Sequence, residues 1–217
     1  MLQNCIAIIL AGGKSERMGQ PKGLLLYKEC YWIQEHLKRL KSGGITKVFI
    51  GLGFDADVYY KAIPELRLAL NNYINYDGLQ LKVIQNTNPQ LGAFTTLKNV
   101  LKAIDKINDV LICPIDVPVL QAFELTKLIN TKGLIVKPIY QNKSGHPIKI
   151  NAQFVVHLLE CLNTSRLDLL ISNVPEKDVD KVICRDKQVN MNLNSPKDWK
   201  NYLDDIPLSQ KYERHEN

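Results

Sequence analysis

The sequence predicts a single-domain α/β fold of three layers, α/β/α, built around a mostly parallel β-sheet. Three observations carry that prediction. Short apolar runs of strand type alternate with segments whose apolar residues recur at helical spacing. Strands alternating with helices favour a parallel sheet covered on both faces. The chain, at 217 residues with 45% hydrophobic and 23% charged content, has the size and composition of one globular domain.

In order along the chain, Cys5–Ala11 reads as a buried strand from its continuous Ile, Leu and Ala content. Tyr31–Lys41 carries Ile33, Leu37 and Leu40 at helical spacing and stops at Gly43-Gly44. Lys47–Gly51 is the second strand, and Asp55–Leu70 is helical in part, interrupted by Pro64. Asn71–Gly78 is polar and reads as a loop or insertion. Leu81–Ile84 and Asp109–Pro114 are strands on either side of a helix at Phe94–Ile104. Ala122–Asn130 is helical, and Gly133–Tyr140 and Pro147–Ile150 are strands. Helices at Phe154–Leu162 and Leu167–Ser172 precede a strand at Lys181–Cys184. Ser195, Pro196 and Asp198 supply an N-cap, a first-turn proline and a third-position acid, which starts the last helix. The domain is expected over residues 1–206, with a polar, frayed tail at 207–217.

Composition excludes several functions. No apolar run approaches the roughly 20 residues that span a bilayer, and the N-terminus lacks the basic stretch of a signal peptide. The five cysteines are scattered without a Cys-x-x-Cys pair, against a zinc ribbon or a disulfide framework. A cytoplasmic address is therefore expected, with Cys5, Cys113 and Cys184 as buried thiols. Net charge is +6, yet no run of five or more basic residues marks a nucleic-acid footprint. Neither nucleic acid nor membrane is an expected partner, and the sequence leaves the oligomeric state open.

Ligands in such folds lie beyond the carboxyl ends of the strands, which directs attention to the loop after the first one. Gly12 and Gly13 let backbone approach a ligand, and Lys14, Arg17 and Lys22 place three cations within nine residues. That combination suits a triphosphate. It is not a P-loop: Gly13-Lys14-Ser15 supplies the end of that motif, but Ile8 stands where its first glycine belongs. A dinucleotide fingerprint at Gly51-Leu-Gly53-Phe-Asp-Ala56 lacks the acid expected after the next strand, where Gln85-Asn86 stand. An oxidoreductase reading therefore carries little weight.

The stretch Leu10-Ala-Gly-Gly-x-Ser-x-Arg-Met-Gly-x-x-Lys22-x-Leu24-Leu25 resembles the signature loop of the molybdenum-cofactor guanylyl- and cytidylyltransferase family. The resemblance continues at Asp116-Val-Pro118, at Gly92 to Thr96-Leu97, at Gly145-His146-Pro147 and at Asn192-Leu-Asn-Ser-Pro-x-Asp198. It implies a Rossmann-like nucleotidyltransferase fold and transfer of a nucleotidyl unit from an NTP to a phosphate-bearing acceptor, with pyrophosphate released. Leu10, Ala11, Gly12, Gly13, Lys14, Asn86, Gly92 and Thr96 are then expected at the nucleotide. Arg17 and Lys22 would neutralise the triphosphate, and Asp116 would hold Mg²⁺. His146 would meet the acceptor.

Asn stands at 192 and 194 where many relatives place Asp. Asn192 is expected as a second metal ligand, with Asn194 the alternative. Leu-Ala-Gly-Gly resembles the guanylyl-type members, whereas Gln20-Pro21-Lys22, Thr95-Thr96-Leu97 and Gly145-His146-Pro147 resemble the cytidylyl type. GTP and CTP both remain open as donors. Molybdopterin, a sugar phosphate, a polyol phosphate and phosphocholine remain open as acceptors. A nucleotide-binding regulatory protein without catalysis is the competing class.

Overall fold

The computed structural model describes residues 5–205; the tail expected at 207–217 lies outside them. β1 (Ile6–Ala11) is the central strand. Two very short strands, β2 (Leu26–Tyr27) and β3 (Cys30–Tyr31), form a separate hairpin that feeds α1 (Trp32–Ser42). β4 (Lys47–Leu52) follows the Gly43-Gly44 stop. The region around Pro64 divides as expected, into α2 (Ala56–Ala62) and α3 (Pro64–Leu68), with the proline at the first turn of the second helix.

The expected polar loop at Asn71–Gly78 instead contains β5 (Ile74–Tyr76), an antiparallel edge strand on β6 (Leu79–Gln85). Ile74 and Tyr76 pack against the core, so the correction is one of burial: two apolar side chains suffice for a three-residue edge. Next come α4 (Ala93–Lys102), β7 (Val110–Pro114), α5 (Ala122–Asn130) and β8 (Ile135–Tyr140). β9 (Lys143–Ser144) folds back on β8, and β10 (Ile148–Ile150) inserts between β8 and β7. α6 (Ala152–Glu160), α7 (Leu167–Ser172), β11 (Val179–Ile183) and α8 (Pro196–Asp204) complete the order.

Among the described residues the main sheet has nine strands in the order β11-β8-β10-β7-β1-β4-β6-β5, with β9 paired to β8 alone. β1 pairs in parallel with both β4 and β7, while β10 runs antiparallel between β7 and β8. Only a short link joins β8 to β10, too short for the crossover a parallel pair requires.

Alternation along β1 divides the core. Ala7, Ile9 and Ala11 face one layer with Trp32, Leu37 and Leu125, and Ile6 and Ile8 face the other with Leu97, Val100 and Phe154. Both faces of the central strand are therefore dry, which is why its sequence is apolar throughout. No helix among the described residues is long and apolar enough to cross a membrane.

Candidate active site

β1 delivers the chain to Gly12 at the carboxyl edge of the sheet, and the next ten residues form a tight excursion. The amides of Met18 and Gly19 donate to the Ser15 carbonyl at 2.9 and 3.1 Å, and buried Met18 pins the turn. Lys22 then returns, its amide donating to Ser15 Oγ at 3.3 Å. From the neighbouring strand end, the Phe54 amide donates to the Gly12 carbonyl at 3.4 Å. A Cβ on Gly53 would stand 2.3 Å from that carbonyl, and one on Gly51 would stand 2.7 Å from Thr96 Cγ2. The glycines of the Gly51-Leu-Gly53 stretch thus serve the close approach of β4 to the first loop and to α4.

One cleft of about 310 Å³ is lined by Leu10, Ala11, Gly12, Gly13, Lys22, Gly92, Thr96 and Asp116, all expected from the sequence. Ser15, a fixed position of the signature loop, also lines it, as do Phe54 and Pro89, which the sequence had not marked. Phe54 carries no motif signal, since its position depends on the Gly12 contact. Gly92 has φ +99° as it opens α4, a conformation that favours glycine.

Three expected residues stand off the cleft wall. Asn86 is buried at 2%, donating to Thr96 Oγ1 at 3.0 Å and accepting from the Asn88 amide at 2.9 Å and from Asn99 Nδ2 at 3.1 Å. Its place is behind Thr96, which it orients. Lys14 is exposed, 5.0 Å above the Phe54 ring and paired with Glu16 at 3.4 Å. Arg17 is exposed on the turn, close enough to Asp198 to help lower the pKa of that carboxyl.

One polar contact at the cleft joins three distant segments. Lys22 Nζ donates to Asp116 Oδ2 at 3.2 Å and to Asn194 Oδ1 at 2.7 Å. Asp116 follows β7, and its carbonyl accepts from the Leu193 amide at 2.7 Å. Asn194 is held from the other side by a capping box. Ser195 Oγ caps the Asp198 amide, while Asp198 Oδ2 accepts from the amides of Asn194 and Ser195 at 3.1 and 2.8 Å. The Ser195 hydroxyl, those amides and then Arg17 hold the Asp198 carboxyl below its usual range. Asp198 is therefore occupied as a helix-start residue.

A carboxylate oxygen and an amide oxygen already converge on one cation here. Hard oxygen donors of this kind suit Mg²⁺ or a similar divalent ion. No cluster of three or more His, Cys, Asp or Glu residues that could hold a metal ion is present among the described residues, so any ion here would rest on Asp116 with amide and ligand oxygens. Asn194, rather than Asn192, is the asparagine that reaches Lys22.

Asn192 instead lines a second cavity of about 380 Å³, together with Val117, Lys137, Lys143 and His146. Val117 lines this cavity and Asp116, its neighbour in the chain, lines the first, so the segment just after β7 contributes to both. Burial pushes the His146 pKa down, and Asp116 and Lys137 both act on it, with opposite signs. His146 thus feels both the Asp116 carboxylate and the Lys137 ammonium.

Structural likeness agrees with this architecture. Rv0371c of Mycobacterium tuberculosis H37Rv superposes with a TM-score of 0.72 at 19% identity, over 94% of this chain and 100% of that one. A nucleotidyl transferase of Methanothermobacter thermautotroptrophicus, Mth528, gives 0.72 at 17% identity, over 92% and 96%. HddC of Yersinia pseudotuberculosis, complexed with GMP-PN, gives 0.65 at 12% identity, over 92% and 98%. These likenesses establish the fold. No curated protein sequence matches the chain. The family profile described as the MobA-like NTP transferase domain matches residues 7–179, from the central strand to the start of β11. On that match, which spans most of its length, the chain belongs to the MobA-like NTP transferase domain family and is a nucleotidyltransferase.

Proposed function

We propose that the chain transfers a nucleoside monophosphate from an NTP to a phosphate-bearing small molecule, with release of pyrophosphate. The observation that carries this reading is the Lys22 ammonium, shared between Asp116 and Asn194 at the edge of a glycine-lined cleft. Gly12 and Gly13 leave room for backbone amides to approach the nucleotide, and Thr96, oriented by Asn86, offers a hydroxyl. Lys22 has a flexible stem and can move from its carboxylate to a phosphate oxygen. Arg17, exposed on the same loop, is free to close over the distal phosphates. Asp116 and Asn194 are the residues that would hold Mg²⁺, which when bound supplies charge neutralisation on phosphate oxygens. A crystal form of Rv0371c with manganese fits the same expectation of a divalent ion.

An acceptor phosphate oxygen attacks the α-phosphorus; the new P–O bond forms as the bond to the β-phosphate oxygen breaks, and pyrophosphate leaves. The attacking oxygen is anionic near neutral pH, so the protein contributes position and charge stabilisation and no base. His146, kept neutral by burial, is suited to hydrogen-bond the acceptor.

The test is pyrophosphate release from GTP, CTP, ATP and UTP with Mg²⁺ and a panel of phosphate-bearing acceptors that includes molybdopterin. GTP or CTP is expected to serve, from the two sets of resemblances in the loops. Nucleotide binding without pyrophosphate release from any acceptor would instead favour a regulatory role.

A further inference from the structure

The second cavity has a chemical character of its own. Lys137 projects from the interior strand β8 and is half-buried, yet no carboxylate pairs with it among the described residues. Burial and the neighbouring Lys181 both push its pKa down, and Lys143 lines the same cavity. A half-buried ammonium beside other cations is unfavourable unless an anion joins it. Around it stand hydrogen-bonding side chains: Ser144, His146, Asn190 and Asn192. His146 Nδ1 and Asn190 Oδ1 are buried with no hydrogen-bond partner among the described residues. Buried polar atoms are normally satisfied, so these two mark a wall with a missing partner.

The lining also lacks certain residues. Among the described residues it contains no Phe, Tyr, Trp, Asp or Glu. A quaternary ammonium is recognised by an aromatic cage, and the lysines would repel it. A flat fused-ring headgroup would find no Phe, Tyr or Trp ring to stack on. Hydroxyl groups match amide, hydroxyl and imidazole partners well, and a cavity of about 380 Å³ suits a small ligand.

We propose that this cavity selects the acceptor as a small polyhydroxylated phosphomonoester, a sugar or polyol phosphate, and that Lys137 anchors its phosphate. The inference rests on the transfer reaction proposed above and names its acceptor class. The transfer joins the acceptor's phosphate oxygen to the nucleotide α-phosphorus, and the product is a nucleoside diphosphate conjugate of a polyol or sugar.

Binding by ligand-observed NMR tests it, with the full chain, Mg²⁺ and a non-hydrolysable NTP analogue. The probes are glucose 1-phosphate, inositol 1-phosphate, glycerol 3-phosphate, phosphocholine and a phosphorylated pterin. At least one polyhydroxylated probe is expected to bind, and Lys137→Ala to weaken it by about tenfold or more, with Lys137→Arg retaining most of the affinity. The inference is overturned by preferential binding of phosphocholine or the pterin. Equally, binding indifferent to Lys137→Ala, or no binding by any polyhydroxylated probe, overturns it. Pyrophosphate release with the same panel separates the two readings. Turnover of the pterin or choline phosphate alone keeps the transfer reaction and removes the acceptor class. Lys137-dependent polyol phosphate binding with no turnover supports the cavity assignment and removes the transfer reaction.

Discussion

Lys22 joins residues 94 and 172 positions away along the chain, so its ammonium is where the first loop, the end of β7 and the C-terminal segment meet. Replacing it with alanine leaves Asp116 partly solvated, and the fold should survive; Asp116 has 29% side-chain exposure. The expected result for Lys22→Ala is a turnover reduced about 100-fold or more, with a thermal melt near that of the parent. Near-normal turnover would remove Lys22 from the triphosphate. His36 is a different case, lining neither cavity. It is fully buried on α1, edge-on to Trp32 at 4.7 Å between ring centroids, with neither nitrogen bonded among the described residues. Burial, with Arg39 adding to it, pushes its pKa from 6.5 down to about 3. The unfolded chain therefore takes up a proton below pH 6.5 that the native chain refuses until about pH 3. Stability is fully present above that window and falls as pH drops through it, by about 2 kcal/mol at pH 5 from this group. His36→Phe should flatten this part of the pH dependence in denaturant titrations at pH 7.5 and 5. An unchanged slope would show that another group controls it.

At the scale of elements, α8 serves the site by where it begins. Its aromatic residues dock it, with Trp199 at 5.2 Å and Tyr202 at 5.3 Å from the Trp32 ring, and its capping box fixes Asn194 just before its first turn. Ser195→Ala removes the cap and should cost about 1 kcal/mol in chemical denaturation. Because Asp198 also loses the Ser195 hydroxyl, activity should fall by more than the stability loss explains, and kcat should carry the change. A loss in stability alone would mean that Asn194 is positioned by Leu193 and not by the cap.

This helix start was legible in the sequence, as were β1, β7, α5 and the cleft residues from Leu10 to Gly13, because local pattern and tertiary role coincide there. Elsewhere they separate. β5 is three residues long, too short for an alternating pattern to register, and the β2–β3 hairpin is shorter still. Asn192 and Asn194 look equivalent along the chain. The Asn194 amide, however, donates to the Asn192 carbonyl at 3.2 Å, and across that tight turn Asn194 reaches Lys22 while Asn192 lines the second cavity. Asn86, expected at the nucleotide from the family resemblance, directly follows β6 and is buried against Thr96 and Asn99 of α4, a packing that no local pattern shows.

For the whole molecule, the segment just after β7 contributes to two cavities, one walled by the parallel strands and their glycine loops, the other by the antiparallel insertion of β10. The donor site and the acceptor site proposed above should be separable energetically. A ligand that binds only the native state stabilises it by about 2.7 kcal/mol at a hundredfold excess over Kd. For a chain of this length that corresponds to roughly 5–10 °C in Tm. The cognate NTP with Mg²⁺ is therefore expected to raise Tm by that amount. Lys22→Ala should remove much of the rise, since it takes a charge-assisted contact from the phosphates. Lys137→Ala should leave the nucleotide-induced rise intact, because Lys137 lines the second cavity and not the glycine-lined cleft. If Lys137→Ala diminished the nucleotide shift as much as Lys22→Ala does, the two cavities would have to be treated as a single triphosphate site, and the division into donor and acceptor sites would fail.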